Sequence, residues 1–285
     1  MTLSFLKAAQ IDLPVLANLF NNAFDGYIGG DVQFDPTSFA RFLAHEGIDL
    51  SLSDIALQNT QPIGLALIAQ MGWTSRLAAM GVAKEYQGQG VGKLLLAHSF
   101  EQACERGGQI FTLECIEQNQ RGVRLYEGAG FRTIRRLLSF RRNPSSQVSS
   151  DQAEENAAMH DLEAIDIPTV ARLVAYHVAP DLPWQVSGYT LARFGPPYVA
   201  ANLGPAYAVI SSPEQDLIAL RNFFVLPQER SQGFGKRLIE SLMRCYPNKI
   251  WVVPAICPEE YGGFFRRIGF EPDRLSQLQM VKKCA

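Results

Sequence analysis

The sequence lacks the features that would place it in several large classes. Its five cysteines, Cys104, Cys115, Cys245, Cys257 and Cys284, form no Cys-x-x-Cys pair, so their spacing suggests neither a disulfide framework nor a zinc site. Reduced cysteines and a cytoplasmic location are the simplest expectation. No stretch has the unbroken apolar length of a membrane span, and Met1-Thr2-Leu3-Ser4 opens no signal peptide. Charge of one sign is also missing. A net charge of −2 gives no reason to expect nucleic acid or a membrane as a partner. The four histidines, His45, His98, His160 and His177, form no cluster, and no metal is expected.

What is present is an ordinary globular composition in 285 residues, long for one domain and comfortable for two. One stretch organises it: Val82-Ala83-Lys84-Glu85-Tyr86-Gln87-Gly88-Gln89-Gly90-Val91-Gly92-Lys93. An apolar strand, residues 77–82, runs into it and a Leu-rich helix leaves it. Glycines at alternate positions turn the chain tightly and bare its amides, and a helix that starts this way is a ready anion site. Two phosphate cradles are excluded by spacing. Gly92-Lys93 is followed by Leu94 rather than Ser or Thr, and Gly88-x-Gly90-x-Gly92 is not Gly-x-Gly-x-x-Gly.

A second block follows a strand over residues 110–116: Asn119-Gln120-Arg121-Gly122-Val123-Arg124-Leu125-Tyr126-Glu127-Gly128-Ala129-Gly130-Phe131. Asn119 is a natural N-cap, Gly130 a natural stop, and the spacing puts Asn119 and Tyr126 on one helix face. Gln87-x-x-Gly90-x-Gly92 resembles the Gln/Arg-x-x-Gly-x-Gly/Ala signature of the GNAT superfamily, the acetyl-CoA-dependent N-acetyltransferases. The second block is similar to that family's Asn-x-x-Ala-x-x-Leu-Tyr-x-x-x-Gly-Phe run, with Gly122 at the usual Ala position.

The pattern then repeats. Arg230-Ser231-Gln232-Gly233-Phe234-Gly235 echoes the cradle, and Phe264-Phe265-Arg266-Arg267-Ile268-Gly269-Phe270 echoes Leu125 to Phe131. Between the halves lies a polar, Ser-rich run that reads as a linker. The resemblance implies an α/β (α+β) fold of two tandem domains, each a mixed, mostly antiparallel sheet flanked by helices. The domains are expected at 1–142 and 158–285, joined by a linker at 143–157. The halves differ in their polar groups: Tyr126 aligns with Phe265, Asn119 falls near Pro258 and Glu114 near Val253. The first domain is therefore expected to be catalytic and the second degenerate, binding CoA weakly, shaping a cleft or holding the protein together.

The resemblance also implies roles. Acetyl-CoA is the co-substrate, with Gln87, Gly88, Gln89, Gly90, Val91, Gly92 and Lys93 around its diphosphate and Asn119 on its pantetheine arm. A backbone amide near Val82 stabilises the thioester oxygen, and Tyr126 protonates the departing thiolate. Glu114, mid-strand, is a candidate base acting through water; its plain alternative is a structural carboxylate holding an Arg. Arg76, Asp25 and Tyr27 lie in segments that border the family's acceptor cleft. The acceptor is an amine, on a small molecule or a peptide. A non-catalytic acyl-CoA-binding or assembly protein of the same fold is the other reading. The oligomeric state is left open.

Overall fold

The computed structural model describes residues 3–30, 32–144, 162–178 and 181–284. In chain order its elements are β1 (Leu3–Lys7), α1 (Leu13–Ala23), α2 (Pro36–Glu46), β2 (Asp54–Gln58), β3 (Gln61–Met71), β4 (Thr74–Val82), α3 (Val91–Glu105), β5 (Ile110–Ile116), α4 (Gln120–Gly128) and β6 (Arg132–Arg142). There follow β7 (Glu163–Ile165), α5 (Ile167–His177), α6 (Gly188–Leu191), β8 (Val199–Leu203), β9 (Ala206–Ile210), β10 (Leu217–Val225), α7 (Phe234–Cys245), β11 (Ile250–Pro258), α8 (Gly262–Arg267) and β12 (Glu271–Lys283). Short turns with a 3-10 pitch join some of them. Several helices start where the sequence dictates: Asp35 and Asp166 each accept from the backbone three residues on, and Pro36 and Pro168 sit in the first turns.

The chain divides into two compact units, Met1–Arg136 with Gln277–Ala285, and Leu137–Ser276. This differs from the expected cuts at 142 and 158. In the first unit the strand order is β1-β2-β3-β4-β5-β12, with β12 antiparallel to β5 from Gln277 opposite Ile116 to Lys283 opposite Ile110. In the second the order is β6-β11-β10-β9-β8-β7, with residues 137–142 of β6 antiparallel to β11. Each half thus lends its last strand to the other unit. The reason is the repeat itself: β6 and β12 follow equivalent helices and Gly-Phe ends, so either suits either sheet edge. Met280 and Phe140, both fully buried, fill the two cores from these strands. Residues 145–157 of the expected linker lie outside the described residues.

Each sheet is mostly antiparallel with a single parallel pair, and that pair is short. In the first unit Thr74 to Leu77 of β4 pair with Ile110 to Leu113 of β5. A β-bulge at Ala78 then breaks the register with β3, and β4 leaves β5, opening a mouth between the strands. In the second unit Leu217 to Ala219 pair with Ile250 to Val252, and the bulge falls at Arg221.

Alternation along the strands builds two apolar layers on the first sheet. Ala66, Ile68, Phe111, Leu113 and Cys115 pack with Leu95 and Leu96 of α3 and Val123 of α4. Ile55, Leu65 and Leu67 face the other way, against Leu16 and Phe20 of α1 and Phe39 of α2. Each such side chain contributes about 1.5–3 kcal/mol by leaving water.

One expectation is overturned outright. Cys104, at the end of α3, is disulfide-bonded to Cys284, just past β12, across a Cα–Cα distance of 5.4 Å. The partners are 180 residues apart, so sequence spacing carries no trace of the pair. It forms because β12 lies on the first sheet. The pairing also removes the cysteine argument for a reduced, cytoplasmic protein. Among the described residues no helix is long and apolar enough to cross a membrane.

Candidate functional site

At the mouth beside β4 the chain makes one 3-10 turn, Lys84–Tyr86, then passes Gly88 at φ 79° and Gly90 at φ 85° into α3. Gly90 is the N-cap and brings no capping side chain, so the first-turn amides face outward unpaired by side chains. The φ of Gly90 is one that residues with a Cβ rarely adopt. Gln87 folds back and donates its Nε2 to the Val82 carbonyl at 3.0 Å, tying the cradle to the strand end. Gln89 does the same to Glu85 at 3.0 Å. Val91 is buried, and Lys93 is exposed on the first turn of α3.

A residue that the motif reading passed over joins this group. Arg121, in the first turn of α4, donates to Gln87 Oε1 at 3.3 Å, and its guanidinium lies over Gly88. An exposed Arg beside a row of amides suits an anion. Only its distance from Gln87 in sequence hid it.

Inside the mouth, Asn119 caps α4 by accepting from the Gly122 amide at 3.0 Å. A Cβ on Gly122 would lie 2.8 Å from Asn119 Nδ2 and 3.1 Å from Cys115 Sγ. The departure from the family's Ala is thus a local fit: glycine lets Asn119 and Cys115 close together. Tyr27, from the segment after α1, reaches the same place. Its hydroxyl is pushed above the usual range by burial and by Cys115, while the Asn119 side chain pulls it down. Tyr126 is raised further, first by burial and then by Cys115 and Tyr27. Burial also lifts the Cys115 thiol to about 11. The structure therefore brings together Tyr27, Cys115, Asn119 and Tyr126, all uncharged at neutral pH.

Glu114 points away from this cluster. Its Oε2 accepts from Arg76 Nε at 2.8 Å, with both side chains under 5 % exposed, and Arg76 also holds Glu46 at 2.7 Å. Burial disfavours the Arg76 charge, but Glu114 and then Glu46 outweigh it and raise its pKa. The carboxylate serves a guanidinium. Arg76 is accordingly a core residue and not a cleft-edge one, and Asp25 is an exposed partner of Lys84 at 3.0 Å.

The second unit repeats the frame. Gly233 caps α7 at φ 84° and ψ −4°, against 85° and −4° for Gly90. Arg230 Nε donates to the Val225 carbonyl at 3.2 Å, as Gln87 does to Val82. The tyrosines and the asparagine are not repeated: Phe265 packs against the rings of Phe140, Phe264 and Phe270 in an apolar core.

The first unit thus has a bulged strand splayed from its parallel neighbour, with a bare helix start at the opening. A family model described as "Acetyltransferase (GNAT) family" matches residues 16–131. N-alpha-acetyltransferase 30 of Schizosaccharomyces pombe is 32 % identical over 105 residues, which cover 35 % of this chain and 69 % of that relative. The chain belongs to the GNAT acetyltransferase family. Among solved structures, a GCN5-related N-acetyltransferase from Sphaerobacter thermophilus has a similar fold, with a TM-score of 0.68 at 13 % identity, covering 99 % of this chain and 96 % of that one. A tandem GNAT protein from the clavulanic acid biosynthesis pathway gives 0.66 at 14 %, over 100 % and 99 %.

Proposed function

We propose that the first unit transfers an acetyl group from acetyl-CoA to an amine by direct attack within a ternary complex. One observation carries the reading: Tyr126 lies in an uncharged, partly buried cluster behind a cradle of amides overlain by Arg121. The cradle and Arg121 would take the diphosphate, and Asn119 the pantetheine arm. A backbone amide near Val82, beyond the paired part of β4, would meet the charge developing on the thioester oxygen. Such a donor contributes about 2.7–4 kcal/mol.

The cluster's chemistry agrees with these roles. Tyr126 is a phenol with a raised pKa, so it holds its proton and can give it to the leaving thiolate. The burial that raises Tyr126 raises that thiolate too, which keeps the pair matched. Cys115, with a pKa of about 11, stays a thiol at neutral pH and makes a poor nucleophile. That favours direct attack over an acyl-enzyme. Glu114, committed to Arg76, acts as a holding carboxylate rather than a base.

The acceptor is a small-molecule or peptide amine. The name of the fission-yeast relative makes α-amino groups of peptides the first to try. Thiol release from acetyl-CoA, measured against peptide α-amines and small amines, tests the proposal. Amine-dependent release that collapses in Tyr126→Phe supports it. Release without amine dependence sinks it in favour of thioester hydrolysis, and none with any amine while CoA binds sinks it in favour of a non-catalytic binder.

A further inference from the structure

Residues 22–29, the end of α1 and the turn after it, cross the mouth of the first unit as a strap fastened on both sides. On the β4 side the fit is made by Gly81. A Cβ there would lie 2.8 Å from Ala23 Cβ and 3.0 Å from Phe24 Cε2, so glycine is what lets Phe24 seat on the strand. The Lys84 amide donates to Asn22 Oδ1 at 3.2 Å, and Lys84 Nζ pairs with Asp25 at 3.0 Å. On the β5 side the anchor is Asn119. Its Oδ1 is taken by the Gly122 amide at 3.0 Å, and its side-chain amide meets the Tyr27 hydroxyl. Gly29 packs so near that a Cβ would lie 2.8 Å from Tyr27 Cε1 and 3.0 Å from Ile116 Cδ1.

Between these anchors the strap is built of rings. Phe20, buried in the core, stacks on Phe24 with centroids 4.3 Å apart. Phe24 meets Tyr27 edge to face at 5.2 Å and 88°, a favoured arrangement of aromatic pairs. The Tyr27 amide donates to the Phe24 carbonyl and the Gly30 amide to that of Tyr27, both at 3.0 Å. A continuous row of contacts thus runs from the core to Asn119. Packing alone explains Phe24. It does not explain a phenol at the end of the row, set among Cys115, Asn119 and Tyr126.

We propose that Tyr27 is a positioning residue for Tyr126: the strap holds its ring beside the acid and keeps water from it. The role rests on reading Tyr126 as the acid; the shielding itself does not. Burial is the first cause of the raised Tyr126 pKa, and Cys115 and then Tyr27 are the titratable groups that add to it. Cys115 is fixed in β5, whereas Tyr27 hangs on the two anchors, so the burial is as secure as the strap. Opening the strap wets the phenol and returns it toward its usual range. An acid that keeps its proton until the thiolate forms is what the transfer needs.

The test is a tyrosine absorbance titration of the full chain, each protein measured with and without Tyr126→Phe so that the difference reads Tyr126 alone. The pH profile of kcat is recorded beside it. In the wild type Tyr126 should stay silent to about pH 11, and in Tyr27→Ala it should titrate near about pH 10. Gly81→Ala, which unseats Phe24 without touching the cluster, should do the same. Both variants should gain an alkaline limb in kcat at that pH, with the KM for acetyl-CoA nearly unchanged. Tyr27→Phe, which keeps the ring, should hold Tyr126 silent. Tyr126 silent in Tyr27→Ala and in Gly81→Ala overturns the proposal, as does a Tyr27→Phe protein that titrates like Tyr27→Ala. A shifted titration with no limb in kcat supports the shielding and overturns the acid reading instead. If Gly81→Ala fails to fold, Tyr27→Ala, at a half-buried turn position, decides by itself.

Discussion

Gly90 and Gly233 occupy the same backbone conformation to within a degree in φ, yet they head two different sites. Behind the first stand two tyrosines, a thiol and an asparagine; behind the second stand phenylalanines and, at the bulge, a half-buried Arg221 beside a buried Asn222. The buried ion pair of the first sheet is also absent from the second, where Ala219 and Val253 occupy the positions of Arg76 and Glu114. The frame of this fold therefore needs neither the acid nor the ion pair. What the first unit keeps beyond the frame is the best guide to its chemistry.

The comparison can be pressed by moving residues of the second unit into the first. The largest effect is expected for Tyr126→Phe, which copies Phe265. Removing a general acid should lower amine-dependent thiol release by about 10²–10⁴-fold, with the KM for acetyl-CoA nearly unchanged. In the wild type the raised Tyr126 pKa keeps the acid protonated past the usual phenol range. Its deprotonation should therefore cause no decline of the rate–pH profile at or below about pH 10.

Next comes the ion pair. Glu114→Val alone leaves the buried Arg76 guanidinium with Glu46 as its one carboxylate from this pair of contacts and should cost up to about 3–5 kcal/mol in denaturant unfolding. Adding Arg76→Ala, which completes the copy of the second unit, should restore most of it. A double variant as unstable as the single would show that the two sheets tolerate different interiors. The disulfide is the third lever, since the cysteines of the second unit, Cys245 and Cys257, are free. Cys104→Ser should lower stability by about 2–4 kcal/mol under non-reducing conditions, and reductant should have the same effect on the wild type.

The smallest effect falls at the surface. Glu260 aligns with Arg121, so Arg121→Glu reverses the charge over the first cradle. The KM for acetyl-CoA should rise about tenfold at low salt and the penalty should shrink as salt screens it. Turnover at saturation should hold. A change in turnover with KM constant would move Arg121 from the cradle to the chemistry.

Local features were legible in the sequence, and long-range ones were not. Gly88, Gly90, Asn119 and Tyr126 are read from spacing because each acts within one turn of its own backbone. Glu114 was visible as a carboxylate on a strand, but the Arg76 it holds comes from β4, and the second carboxylate on that Arg comes from the end of α2, which no period in β5 reports. Arg121 looked like an ordinary exposed arginine until α4 was placed beside the cradle. Gly122 looked like a flaw in a motif and is a fit between Asn119 and Cys115. The Cys104–Cys284 pair and the exchanged strands share one cause. Near-identical strands at the ends of two repeats can satisfy either sheet, and a linear pattern has no term for which one they choose.

That exchange has a consequence for how the protein is made. The first unit needs residues 277–283 to cover β5 and to seat Met280 in its core. Those residues leave the ribosome only after the whole second half has been synthesised, a delay on the order of ten seconds at about 5–20 residues per second. Through that interval the N-terminal sheet waits with an open edge, and the half that carries the proposed chemistry is finished last.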